Sequence, residues 1–215
     1  MTPEVFETLR TYDGVPALLD EHLARLGVSE DATLRRDVLD RLAGESGDVV
    51  IRIVGRDIEF RPLPPDDDDV DLVTAEVPGY AYPIKLVDRE LHNGLIDATD
   101  AFDVLIHDDG MVIEGTRTNV FALTGDMLVT PPLGRPLPGV TRAAIAALAP
   151  SLGLSVEERD LSLDELREAD EVLVTNSLRG VKRVATIDGE PVGGRQTDVR
   201  DELDAALLAY YRERA

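Results

Sequence analysis

No cysteine occurs among the 215 residues. That excludes a disulfide framework, a cysteine-ligated metal and a thiol nucleophile. Basic residues are scarce, with 22 Lys and Arg against 43 Asp and Glu and a net charge of −21. Binding a phosphate backbone needs a basic surface, so no nucleic-acid partner is expected. The acidity reads as a solvated, self-repelling surface. Lysine is the scarcer cation, present only as Lys85 and Lys182. Chemistry that joins an amine to a carbonyl must use one of these or the N-terminal amine. Long apolar runs are also missing. None could span a membrane, and the start has no signal-peptide pattern, so a soluble cytoplasmic protein is expected. His22, His92 and His107 lack metal-ligand spacing, and no metal site is expected. His92 reads as an ordinary core or surface histidine. There is no glycine-rich nucleotide fingerprint and no Gly-x-Ser-x-Gly elbow.

What is present is organised around Ile113 to Phe121. Two tight turns, Asp109-Gly110 and Gly125-Asp126, flank this stretch, and each lies between apolar, β-prone runs. Such turns between such runs predict hairpins. Glu114 then falls near the end of a strand, where a carboxylate has no packing reason to be. Upstream, Val5 to Thr11 predicts a strand, Val15 to Leu19 a second one, and Asp20 the cap of a helix carrying Arg25. Leu34, Val38 and Leu42 put one apolar face on a helix over Asp31 to Ala43. Val49 to Val54 and Asp57 to Arg61 predict a hairpin bearing Arg52, Arg56 and Arg61. Pro62 to Asp69 reads as a stiff, charged linker. Val70 to Val77 predicts a strand, followed by a loop to Pro83. Lys85 is expected to open a helix with Leu91, Leu95 and Ile96 facing inward. Lys182 lies in a strand-like run, where a solvated role suits it.

Five blocks stand in order: Phe6-Glu7-Thr8-Leu9-Arg10 with Glu21-His22-Leu23-Ala24-Arg25-Leu26; Lys85; Glu114-Gly115-Thr116-Arg117-Thr118-Asn119; Leu137-Pro138-Gly139-Val140-Thr141-Arg142; and Ala169 to Ser177. Together they resemble the class IV aminotransferases, the fold-type-IV enzymes of pyridoxal phosphate (PLP). The resemblance implies an α/β fold of the α+β type, like D-amino-acid aminotransferase, in two domains. These are a small N-terminal one over 1–77 and a larger one over 78–215. Family members carry an opening strand pair before the first of these blocks. This chain begins almost at the strand itself, so a shortened N-terminus is expected.

The resemblance also implies roles. Lys85, 29 positions before Glu114, is the lysine that holds PLP covalently, and Glu114 holds the pyridine nitrogen. Arg25, Val140, Thr141 and Ser177 cup the phosphate. Thr118, Asn119 and Asn176 complete the cofactor contacts, and Phe6 and Arg52 meet the substrate. Independently, a glycine-led helix start is a good anion site. The implied activity is amino transfer between a small amino acid and a 2-keto acid in a homodimer. Aminodeoxychorismate lyase is the alternative within the fold, suggested by the Phe6 to Thr11 start. A shortened, non-catalytic family member is the alternative outside enzymology.

Overall fold

Alternating apolar residues in the first third of the chain build a small antiparallel sheet. The computed structural model describes residues 4–65, 69–194 and 197–214. Strand β1 (Phe6–Tyr12) pairs with β3 (Val49–Val54), and β3 with β4 (Asp57–Pro62). A two-residue β2 (Val15–Pro16) edges β1, giving the order β2-β1-β3-β4. Helices α1 (Leu19–Arg25) and α2 (Ala32–Leu42) pack on this sheet. Asp31 caps α2 by accepting the Leu34 N–H at 2.9 Å, which satisfies a donor that the helix itself cannot. Leu34, Val38 and Leu42 meet Leu9, Ile51 and Ile53 in the core, as their spacing predicts.

The second strand is shorter than expected. Leu18 adopts φ 53°, and α1 starts at Leu19 with Asp20 inside its first turn. Leu18 is buried in the core of the larger sheet, and that packing overrides the local strand preference.

The larger sheet has nine strands. Its members are β5 (Asp69–Glu76), β6 (Asp103–Asp108), β7 (Met111–Gly115), β8 (Asn119–Thr124), β9 (Met127–Thr130), β10 (Ser155–Glu158), β11 (Glu171–Asn176), β12 (Gly180–Ile187) and β13 (Glu190–Pro191). The order is β10-β9-β8-β11-β12-β5-β6-β7, with β13 on β12. Its helices are α3 (Glu90–Ile96), α4 (Val140–Leu148), α5 (Leu163–Glu168) and α6 (Val199–Glu213). Successive side chains of a strand point to opposite faces. Accordingly, Phe121 and Leu123 join the core under α4 and α6, while Val120 and Ala122 join the one that includes Leu166 of α5. Both hairpins predicted within this sheet form, as does the one predicted for β3 and β4.

The strand expected to end the first domain at residue 77 is β5, and it pairs with β6 and β12 in the larger sheet. The change from one sheet to the other therefore falls between β4 and β5, ahead of the expected boundary. Of the expected linker, Asp66 to Asp68 lie outside the described residues.

β7 and β8 are consecutive in the chain, yet β11, β12, β5 and β6 lie between them in the sheet. Laid flat, those five steps would span about 24 Å. The four-residue path from Gly115 to Asn119 reaches about 14 Å at most. The sheet must curl, and the corner is closed by the Gly115 N–H donating to the Thr118 carbonyl at 2.8 Å. Among the described residues no helix is long and apolar enough to cross a membrane.

Candidate active site

The corner after β7 is held from below by Asp103, which is fully buried. Its carboxylate accepts from the Thr118 hydroxyl at 2.8 Å, the Arg117 N–H at 3.1 Å and the Thr116 hydroxyl. A Cβ on Gly115 would lie 2.4 Å from an Asp103 oxygen and 2.3 Å from Thr118 Oγ1. Only glycine fits there, which explains the Glu-Gly-Thr sequence in physical terms. Thr118 is thus committed to the corner while still edging the cavity beside it.

Glu114, at the end of β7, is buried with its carboxylate facing that cavity. Oε2 accepts the Leu137 N–H at 2.9 Å and, weakly, Asn119 Nδ2 at 3.4 Å; Oε1 accepts the Tyr80 hydroxyl at 2.8 Å. Asn119 also donates to the Leu137 carbonyl at 3.0 Å. Burial lifts the Glu114 carboxyl to about 7, against the opposing pull of these donors and of Lys85. A Cβ on Gly139 would fall 1.9 Å from Asn119 Oδ1, so a second glycine is needed to bring α4 up to the site.

Lys85 lines the same cavity, with Nζ 4.7 Å from the centre of the Phe6 ring. Burial, reinforced by the Arg25 and Arg89 cations, pulls its amine down to about 7. Lys85 does not open a helix: α3 begins at Glu90. Its segment is tied to the N-terminal chain instead, through Phe6 N–H to the Lys85 carbonyl at 3.0 Å and Val87 N–H to the Glu4 carbonyl at 2.8 Å. These backbone hydrogen bonds and the Val5–Leu86 bridge hold the Lys85 segment beside the start of β1, in place of a helical turn. Lys182 is not solvated as expected. It is 6% exposed, within β12, and does not line the cavity.

Arg25 is held in a fork by Glu7, with Nε and Nη2 donating at 2.7 and 2.6 Å, and Nη1 donates to the Pro138 carbonyl at 3.1 Å. Burial alone would raise Glu7, but Arg25 and His22 draw it down to about 2. Beside Arg25 lie the N-terminus of α4, with Val140 and Thr141, and the end of β11, with Asn176 and Ser177. Thr141 donates to Ser177 Oγ at 3.4 Å. Asn176 Oδ1 accepts the Leu178 and Arg179 N–H groups at 2.9 and 2.8 Å, which shapes the turn into β12. Of the hairpin arginines only Arg52 faces the cavity, 4.1 Å from the Phe6 ring centre. Arg56 and Arg61 pair with Asp31 and Glu59.

The cavity holds about 540 Å³ and, among the described residues, is lined by Arg25, Arg52, Lys85, Arg89, Arg117 and Arg179 against the single carboxylate of Glu114. A chain of net charge −21 thus gathers cations around one concave site, which focuses field for an anion. Sequence reasoning missed Tyr80, His92, Asp103, Arg89 and Thr175. Residue spacing gives no signal for the first four, which meet only in the folded chain.

The family model described as "Amino-transferase class IV" matches residues 60–187. The chain belongs to the class IV aminotransferase family. D-alanine aminotransferase of Bacillus licheniformis is 28% identical over 88% of this chain and 80% of its own length. The structure of Escherichia coli branched-chain amino acid aminotransferase aligns with TM-score 0.77 at 25% identity, covering 97% of this chain and 85% of that one. A hypothetical aminotransferase from Mycobacterium tuberculosis, in its PLP-bound form, aligns with TM-score 0.86 at 23% identity, over 99% and 90%. This is the fold-type-IV architecture.

Class IV aminotransferases work with PLP, and this site fits that group on its own chemistry. Thr175 Oγ1 is buried beside the cavity without a hydrogen-bond partner, and an orphan hydroxyl of that kind points to a ligand. Next to it a helix N-terminus, two hydroxyls and an arginine suit a phosphate. Across the cavity a buried carboxylate suits a protonated ring nitrogen, and an amine of depressed proton affinity suits a carbonyl. An enzyme family and an assembled pocket leave no support for the non-catalytic alternative.

Proposed function

We propose that this aminotransferase passes an amino group between a small amino acid and a 2-keto acid, 2-oxoglutarate among them. One observation carries the reading: Lys85 and Glu114 face one cavity, and both proton affinities are brought to about 7. When bound, PLP supplies an electron sink for negative charge at the substrate carbon. Lys85 Nζ, which sheds its proton near pH 7, would hold the cofactor carbonyl and move the substrate's α-proton. Glu114 keeps a proton on the ring nitrogen. Arg25, the α4 N-terminus, Thr175 and Ser177 take the phosphate. Arg52, on Phe6, takes a substrate carboxylate. The Mycobacterium tuberculosis protein is also known in a form bound to α-ketoglutarate and PMP, which supports the choice of acceptor. A panel of amino donors against keto-acid acceptors tests the reading, with aminobenzoate release assayed in parallel. The lyase reading stands on the Phe6 to Thr11 start alone, and release of aminobenzoate with no transamination would replace the first reading by it.

We expect Arg25→Ala to weaken PLP binding tenfold to a hundredfold, roughly the worth of a charge-assisted contact. The variant should also lose stability, because Glu7 stays buried with only His22 to pair it. Equilibrium dialysis and a melting curve separate the two effects, and unchanged PLP affinity would remove Arg25 from the cup.

We also expect a homodimer. Ile84 and Leu91, exposed at 53% and 46%, lie on the Lys85 segment and on α3. A second subunit over them would help wall the cavity. Sedimentation at micromolar concentration checks this, and a monomer there rejects it.

A further inference from the structure

Behind Glu114, on the side away from the cavity, lies a second layer that no motif predicts. Tyr80 and His92 are both buried, at 5% and 4% exposure. The Tyr80 hydroxyl donates to Glu114 Oε1 at 2.8 Å and lies 2.9 Å from His92 Nε2. A phenol has one proton to give. With that proton on Glu114, Nε2 of His92 must carry its own hydrogen and donate it to the phenol oxygen. The chain of donors therefore has a direction: imidazole N–H to phenol, phenol O–H to carboxylate.

His92 occupies the inward position of α3, where aliphatic residues were expected. Leu91 points out, and Leu95 and Ile96 are half-buried. The reason is local packing. The imidazole sits 4.3 Å from the Tyr82 ring and 5.8 Å from the Tyr80 ring, so the buried side of α3 meets two aromatic rings beside the Ile106 and Ile113 cluster that Leu95 joins. Burial, with the Arg89 and Lys85 cations nearby, draws His92 down to about 4, so its ring is neutral at pH 7. Burial and the Glu114 charge push the Tyr80 phenol far up, so it stays protonated.

We propose that Tyr80 and His92 are positioning residues that act through Glu114, holding it as an ionised acceptor so that the proton of the shared site stays on the cofactor's ring nitrogen. This rests on the PLP reading above. Glu114 is faced by Lys85 from the segment before α3, Asn119 from β8, the Leu137 N–H from the loop before α4, and the buried Asp103 from β6. Asp103 opposes ionisation; the others favour it. Among the described residues Tyr80 is the one neutral side-chain donor on Oε1, and His92 fixes which way it donates. A hydrogen bond to the charged form of a carboxylate favours that form. Removing the phenol O–H should move the shared proton toward Glu114.

The experiment uses PLP-loaded Tyr80→Phe, His92→Leu and His92→Gln. Ring-nitrogen protonation is read from the NMR shift of isotope-labelled PLP and from the absorbance of the bound cofactor against pH. In Tyr80→Phe the ring proton should be lost about one pH unit lower, with kcat down about tenfold and KM little changed. His92→Leu should shift the same way by less, and His92→Gln should recover most of the loss, because an amide N–H can donate to Tyr80 in place of the imidazole. A titration unmoved in Tyr80→Phe that still binds PLP overturns the proposal. So does a loss in His92→Gln equal to that in His92→Leu, since it would mean the imidazole only fills space. Failure of the wild-type protein to bind PLP would instead overturn the functional reading.

Discussion

Lys85→Ala is expected to abolish turnover, a loss beyond about 10⁴-fold, since in the proposed reading the residue both holds the cofactor and moves the proton. Borohydride reduction of the PLP-loaded wild type, followed by peptide mapping, should place the pyridoxyl group on Lys85. The variant should still bind PLP through the phosphate cup, because Arg25, α4 and Ser177 are untouched. An ordinary lysine near 10.5 is charged at neutral pH and unreactive. The Lys85 amine, drawn to about 7, loses its proton as pH rises through that value. Covalent loading should therefore accelerate between about pH 6 and 8 and level off above. A rate still climbing at pH 10, a label on Lys182, or full activity in Lys85→Ala would each remove Lys85 from the role. Burial within β12 leaves Lys182 a structural residue.

Glu114→Ala is the second large expected effect. PLP should still attach to Lys85, because the amine and the phosphate cup remain. Turnover should fall by about 10²- to 10³-fold, the usual scale when a preorganised charge partner is removed from a water-poor site. The ring nitrogen would lose its proton, and the electron sink with it. A primary isotope effect from the deuterated α-carbon should grow, as proton removal becomes the slow step. Turnover within about threefold of wild type would mean that another group holds the ring proton.

Much of this architecture is legible in sequence because it is local. The Asp109-Gly110 and Gly125-Asp126 turns carry their own signal, as does the apolar spacing of Leu34, Val38 and Leu42. The helix start at Gly139-Val140-Thr141 is equally plain. The cup residues come from separate strands and helices, yet each lies at the end of an element that sequence could place. Asp103 is different. Nothing near it in the chain says that it will lie under the corner at Thr116 to Thr118, because that contact depends on the curl of the sheet. Tyr80 and His92 fail for the same reason, and the expected inward face of α3 failed with them. The early end of β2 and the membership of β5 in the larger sheet were decided by packing across the molecule, which outweighs local preference.

The curl has a further consequence, for how the site comes into being. Glu114 ends β7 and Asn119 begins β8, but four strands stand between those two in the sheet. Two of them, β11 and β12, come from residues 171–187, more than fifty positions later in synthesis. Until that length of chain has arrived, β8 has β9 on one side but lacks β11 on the other, and Thr175 and Ser177 are not in place. Pairings between distant segments form slowly, because loop closure must be met before any contact rewards it. Cofactor affinity is therefore a property of the nearly finished chain, and a nascent polypeptide ending before β11 would present Lys85 and Glu114 without the Thr175 and Ser177 side of the proposed phosphate cup.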